Sequence, residues 1–303
     1  MLKNLIAQVF SSNKLKTALT ISAIFISTAI LGYLIYSQKE ILIAYDWNIN
    51  WVLLAPIFIL YTINLLLVSM VWALILGALG IKASFFAHVR NYSIANLMKR
   101  LTGTIWYVAW RTQSYNSDLG ASPKLISLAS GIELAVFGIA TVLISLVFSI
   151  KTIVDDSLKI WGLLGILGAC SFLFLPGIQR RFFSWAGELN QKIKISDLLK
   201  WTGIYVITRF VGGSILFLVA NLFITLPLDL LPSIIGIHSL VAALSLVVFF
   251  LPSNFGFTEV GISLLLSSFI PSSIAVIIVI VNRVLVLVFE LAWGAFSFYF
   301  KKH

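Results

Sequence analysis

The sequence predicts an all-α fold: a polytopic bundle of transmembrane helices, some of them broken or re-entrant, with an internal two-fold repeat. Three observations lead there. Of 303 residues, 60% are hydrophobic and 11% charged, whereas a soluble domain carries about 25% charged residues. Apolar runs recur that approach or exceed the roughly 20 residues a spanning helix needs, at 17–36, 52–79, 126–150, 203–226, 233–251 and 274–300. Finally, two apolar regions are interrupted by break residues and carry charges, which a bilayer tolerates only where the backbone is buried in protein or lines a cavity.

Residues 1–16 read as a short interfacial helix, with Leu2, Leu5, Ile6 and Val9 on one face. Thr17 to Tyr36 is too long for a signal-peptide core and lacks a small-residue cleavage site, so it reads as a retained span. The loop 37–51 carries Trp47 and Trp51 as interface anchors. Val52 to Leu79 spans. From Gly80 to Lys124 the texture changes: Lys82, Arg90, Lys99, Arg100 and Arg111 are interleaved with apolar and aromatic residues. That suits an amphipathic or re-entrant element better than a span or a solvated loop, with Trp106, Tyr107 and Trp110 at the interface. Ile126 to Ile150 spans and carries Glu133. After the loop at 151–159, Ile160 to Leu175 makes a short span with Gly162, Gly165 and Gly168 for close helix contact. A basic loop covers 176–200. Gly203 to Leu226 spans, with Arg209 in its first turns, where a long arginine snorkels to headgroups. Ser233 to Leu251 returns, and the apolar segments 255–270 and 274–300 finish the chain.

This organisation makes one integral membrane domain, with 17–150 as its first half and 159–300 as its second, and about 7–8 spans counting the broken ones. The formal charge of +10 reads as cytoplasmic loops meeting lipid headgroups, not as a nucleic-acid surface. Basic loops alternate with poor ones, which puts the N-terminus on the cytoplasmic side of the cell membrane. A lone cysteine, Cys170, and three histidines without ligand spacing argue against a disulfide, a metal site or a metal cofactor. No nucleophile motif, nucleotide fold or Gly-rich phosphate loop is present, so no catalytic residue is assigned and no cofactor is expected.

An offset of 150 positions aligns the two broken regions. Leu101-Thr102 falls on Leu251-Pro252, Ala121-Ser122-Pro123 on Pro271-Ser272-Ser273, and Glu133 on Arg283. Each half then reads as span, break, short helix, Ser/Pro turn, and a span with one buried charge. Paired interrupted segments of this kind point to a midplane binding site between repeats.

The same residues carry a family resemblance. LTGTIWYVAWR (101–111) followed by Glu133, and LPSNFGFTEVG (251–261) followed by Arg283, resemble the two signatures of the lysylphosphatidylglycerol synthase transmembrane-region family, the flippase-like integral membrane proteins. Leu101, Gly103, Trp106, Arg111, Glu133, Pro252, Gly256, Glu259 and Arg283 match. Thr102 departs from a usual proline, and Ser253-Asn254 from two usual glycines. The resemblance covers roughly 50–300 and implies lipid translocation. It also implies that a stand-alone chain, lacking the soluble aminoacyl-transferase domain some members carry, works beside a glycosyltransferase or another lipid-pathway enzyme.

The candidate residues for a lipid headgroup or cavity are Arg111, Glu133, Glu259, Arg283 and Glu290, and the candidate break residues are Gly103, Pro252, Asn254 and Gly256. Glu133 and Arg283 are expected to face each other between the halves. Arg283 and Glu290, seven apart, share a helix face. Glu259 either caps the helix after its break or serves a headgroup. Arg111 either binds a lipid phosphate or snorkels. The functional expectation is a translocator or binder of a phospholipid or polyprenyl-linked lipid. The alternatives are a membrane transferase or accessory subunit of a glycosyltransferase acting on lipid-linked sugars, and a non-transporting scaffold. A translocator should show a cavity at the midplane; an enzyme should show converging carboxylates at one membrane face.

Overall fold

The computed structural model describes residues 48–102, 104–148, 193–247 and 256–299, the short piece 39–44, and Tyr33 and Tyr36. Among the described residues there are helices and no strands. In chain order they are α1 (Lys39–Ala44), α2 (Leu54–Ala78, entered through a 3₁₀ turn at Trp51–Leu53), α3 (Phe85–Thr102) and α4 (Thr104–Leu119). Then follow α5 (Pro123–Phe148), α6 (Ile195–Asn221), α7 (Leu231–Val247, after a second 3₁₀ turn), α8 (Phe257–Leu266) and α9 (Ser272–Tyr299). Five stretches are long and apolar enough to cross a membrane: Trp51–Ala78, Pro123–Phe148, Ile195–Asn221, Leu228–Leu246 and Ser272–Ser297. The interfacial helix and first span expected over 1–36, and the short span at 160–175, fall almost wholly outside the described residues.

Two expectations are corrected here. The loop expected over 37–51 contains helix α1. The span expected to begin at Gly203 begins at Ile195, where the backbone N–H of Lys194 donates to the Asp197 carboxylate at 3.3 Å. The polar first turn (Ser196, Asp197, Lys200) disguises the helix start as basic loop. Arg209 therefore sits near the middle of a 27-residue helix, about 20 Å from its first residue at 1.5 Å per residue, and not in its first turns.

Helix directions follow from side-by-side contacts. The Asn50 N–H donates to the Leu222 carbonyl at 3.0 Å, which puts the start of α2 beside the end of α6, so these helices are antiparallel. One face of the bundle, face A, thus holds the end of α2 and the start of α6. Face B holds residues 50 and 222. α3 and α4 form an antiparallel hairpin, pinned near its open end by Arg90–Asp118 at 2.9 Å and Ser114–Asn91 at 2.6 Å. Both ends of the hairpin lie at face A, because α2 leads into it and α5 leaves from it. Gly120 ends α4 at φ +64°, a left-handed conformation that glycine adopts without a Cβ penalty, and Pro123 opens α5 at the first helical position. The region expected to be amphipathic or re-entrant is thus a helical hairpin that enters and leaves at face A.

The remaining described helices run as follows. α6 ends at face B. α7 and α8 pack antiparallel, with the Ser245 and Thr258 hydroxyls 3.3 Å apart, and α9 returns from face B to face A. The two halves meet along α5 and α7 and along α2 and α6. One apolar cluster joins α2, α6, α7, α8 and α9 around Ile57, Leu216, Ile237, Leu266 and Ile278. A second joins α2 to the first hairpin, α5 and α6 around Trp72, Tyr115, Ile126 and Tyr205. α6 and α7 approach so closely that a Cβ on Gly213 would lie 2.5 Å from the Ile235 Cα. Glycine is the residue that permits this backbone contact.

Candidate functional site

A cavity of about 330 Å³ opens between the halves. Asn64 of α2, Glu133 of α5, Arg209 of α6, His238 of α7, and Arg283 and Glu290 of α9 all reach its wall. The residues on α2, α5, α6 and α9 lie near the middles of helices 25 to 28 residues long, roughly 15–20 Å from their ends. The cavity is therefore at mid-membrane depth. Its size falls within the range of about 300–1,000 Å³ for small-ligand pockets.

Three tyrosines and one ion pair build one wall. Arg111 of α4 is fully buried and pairs with the Glu133 carboxylate at 2.5 Å. The same carboxylate accepts the Tyr205 hydroxyl at 2.9 Å and, more distantly, the Tyr107 hydroxyl at 3.4 Å. The guanidinium carbon lies 3.9 Å from the centroids of Trp72 and Tyr107 and 4.5 Å from that of Tyr92. Arg111 Nε and its second terminal nitrogen have no hydrogen-bond acceptor. Ring faces enclose the cation instead, an attraction worth about 2 kcal/mol when desolvated.

On the other side, Arg283 pairs with Glu259 of α8 at 3.3 Å. Glu259 Oε2 also accepts the Gly256 N–H at 2.7 Å, so this carboxylate caps α8 in the way an N-terminal acid does. Gly256 turns the chain into α8 at φ +90°, a conformation that L side chains rarely adopt.

The sequence-derived candidates divide as follows. Arg111, Glu133, Glu259, Arg283 and Glu290 come together in and around one cavity. Their pairing differs from expectation. Glu133 and Arg283 were expected to face each other, but each takes a partner from the hairpin of its own half, Arg111 and Glu259 respectively. The physical reason is distance along the chain: hairpin and following helix are covalent neighbours that pack tightly, while the cavity lies between the halves. Arg111 neither snorkels nor faces the headgroup layer; it is sealed among aromatic rings. Arg283 and Glu290 do line one cavity, two turns apart on α9. Gly103, Pro252 and Asn254 lie outside the described residues, and the Trp106 side chain is likewise not described.

Two cavity residues were missed. Arg209 was placed near a helix end, and His238 was considered only as a metal ligand. In the structure Arg209 is 8% exposed, its guanidinium stands 4.5 Å over the Phe137 ring, and its Nε has no acceptor. His238 Nδ1 is buried and also without a partner. The available signal for Arg209 was the Ile195 helix start, which recentres it in its span. Among the described residues no group of three or more His, Cys, Asp or Glu could hold a metal.

A comparison with protein-family models gives no match, and none of the curated proteins matches the chain either.

Proposed function

We propose that this multi-pass membrane protein binds and translocates a lipid, a phospholipid or polyprenyl-linked lipid, holding its headgroup in the cavity between two inverted repeats. The observation that carries the reading is the polar cavity at mid-membrane depth between halves that enter from opposite faces. Arginines, carboxylates and an imidazole at that depth are each costly, and inverted halves around a midplane polar site are the architecture of alternating access. The basic residues described at face A (Lys82, Arg90, Lys124, Lys194 and Lys200) support a cytoplasmic face A. If 17–36 crosses from A to B, the N-terminus is cytoplasmic too.

The flippase-like resemblance of 101–133 and 251–283 points the same way, with membrane lipids as the partners and a lipid-pathway enzyme such as a glycosyltransferase as a further one. The test is scrambling of headgroup-labelled lipids in proteoliposomes. Movement of an anionic or polyprenyl-phosphate lipid above that of empty vesicles is expected. Absence of movement for every anionic and polyprenyl lipid tried sinks the reading.

A further inference from the structure

We infer that Arg209 and His238 form the phosphate-binding site of this cavity, so that the ligand is recognised by its phosphate ester and is anchored on the second half of the chain. The inference rests on the lipid-cavity reading above, which it makes specific.

The three arginines of this region are partnered differently. Arg111 is neutralised by Glu133 and walled off by rings. Arg283 is held by Glu259, whose other oxygen is committed to the Gly256 N–H. Arg209 differs from both. Its contact is the face of Phe137, and among the described residues it forms no ion pair and its Nε no hydrogen bond. A buried guanidinium without an anion is among the most expensive groups a fold can carry, and it stands on the wall of a cavity large enough for a headgroup. Phosphate is the anion whose geometry suits a guanidinium, which can give it two parallel N–H donors.

His238 supplies a second donor. Its ring is pressed against Gly212, where a Cβ would lie 2.6 Å from His238 Cε1 and 3.3 Å from Nδ1. Gly212 is three residues from Arg209 on the same helix, hence on the same face. Glycine at 212 leaves room for the Cε1 end of the imidazole against α6, and the buried Nδ1 has no protein partner. Arg209 and His238, at neighbouring positions on adjoining helices, thus line one cavity. Asn64 lies on the same wall. A phosphate ester brings oxygens to the wall that Arg209 and His238 share, and an anionic headgroup supplies the counter-charge that Arg209 lacks. A phosphocholine headgroup carries its own cation and so brings no net counter-charge.

The test is ligand binding by the full chain in detergent, followed by native mass spectrometry, with short-chain phosphatidylglycerol, short-chain phosphatidylcholine and inorganic phosphate as probes. Wild type, Arg209→Gln, Arg209→Lys and Arg283→Gln are compared, with the melting temperature of each recorded. Phosphatidylglycerol should bind wild type most tightly. Arg209→Gln should weaken it by about tenfold or more, the worth of a charge-assisted hydrogen-bond pair, and Arg209→Lys should recover part. Because Arg209 has no anion to lose, Arg209→Gln should leave the lipid-free melting temperature unchanged or raised. A purely structural arginine would lower it and leave binding intact. Phosphatidylglycerol binding that survives Arg209→Gln but fails in Arg283→Gln overturns the assignment and leaves the lipid reading standing. Binding of inorganic phosphate through Arg209 with no lipid bound keeps the anion site and removes the lipid reading.

Discussion

The ion pair Arg111–Glu133 and the ion pair Glu259–Arg283 each join a hairpin helix to the long helix that follows, with the signs of charge reversed. Their surroundings differ. Arg111 is inaccessible, and Glu133 has a second donor at 2.9 Å in Tyr205. The Arg283 side chain keeps 16% of its surface and lines the cavity, while Glu259 shares its carboxylate with a helix start. The first pair is therefore placed to hold the first hairpin rigidly against α5. The second keeps solvent access through Arg283 on the cavity wall, so it is placed to sense the cavity's water content more than the first. Similar chemistry does not mean similar work; solvent access and the number of competing partners separate them.

The largest expected effect comes from breaking the sealed pair. Glu133→Gln leaves Arg111 buried without its counter-charge and should cost about 3–5 kcal/mol of stability. Reversible unfolding in mixed micelles measures it. The double variant Arg111→Met with Glu133→Leu should recover most of that loss, since well-packed apolar residues often replace a buried pair at little cost. A double variant as unstable as the single one would mean that the pair does more than cancel its own desolvation.

Glu259→Gln should be milder, about 1.5–3 kcal/mol, the range for a hydrogen bond to a charged group. The amide oxygen can still accept the Gly256 N–H, and Arg283 keeps access to the cavity. Double-mutant cycles on the two pairs give the sharper comparison. The coupling energy of Arg111–Glu133 should exceed that of Glu259–Arg283. Equal values would erase the distinction drawn from exposure. Smaller again is Gly256→Ala, which forces a Cβ onto a residue at φ +90° and should cost about 1–2 kcal/mol.

Much of this arrangement was legible in the sequence. The hydrophobic run lengths locate α2, α5, α7 and α9 to within a few residues, and of the five charged candidates Glu133, Arg283 and Glu290 line the cavity, while Arg111 and Glu259 pair with Glu133 and Arg283 beside it. Pairing was not legible. A charge at a break and a charge in the next span look like separate features in one dimension, and the match between Glu133 and Arg283 at an offset of 150 suggested a pair across the halves. Tertiary packing chose the neighbour along the chain in both cases. Arg209 was misplaced because a helix that opens with Ser196, Asp197 and Lys200 resembles a loop by hydropathy, although Asp197 is well placed to cap it.

The smallest effect isolates the outer end of the first hairpin. His88 of α3 lies 2.7 Å from the Tyr115 hydroxyl, which also accepts the Trp72 indole N–H at 3.0 Å. With that donor already pointing at its oxygen, Tyr115 can give its own proton to His88 Nδ1, which suits a neutral imidazole. Burial, and then the positive charge of Arg111, lower the His88 pKa to about 4 from the usual 6.5. Between those values the unfolded chain binds a proton that the folded one refuses, so this histidine lowers stability as pH falls from about 6.5 toward 4. His88→Gln, which can still accept from Tyr115, should flatten part of that slope in melting curves taken across the window. Placing His88→Gln in the Arg111→Met/Glu133→Leu background tests the link to the sealed pair. With the Arg111 charge gone, the folded pKa should rise toward 6.5 and the slope attributable to His88 should shrink. A slope of unchanged size there would assign the shift to burial alone and detach this histidine from the ion pair beneath it.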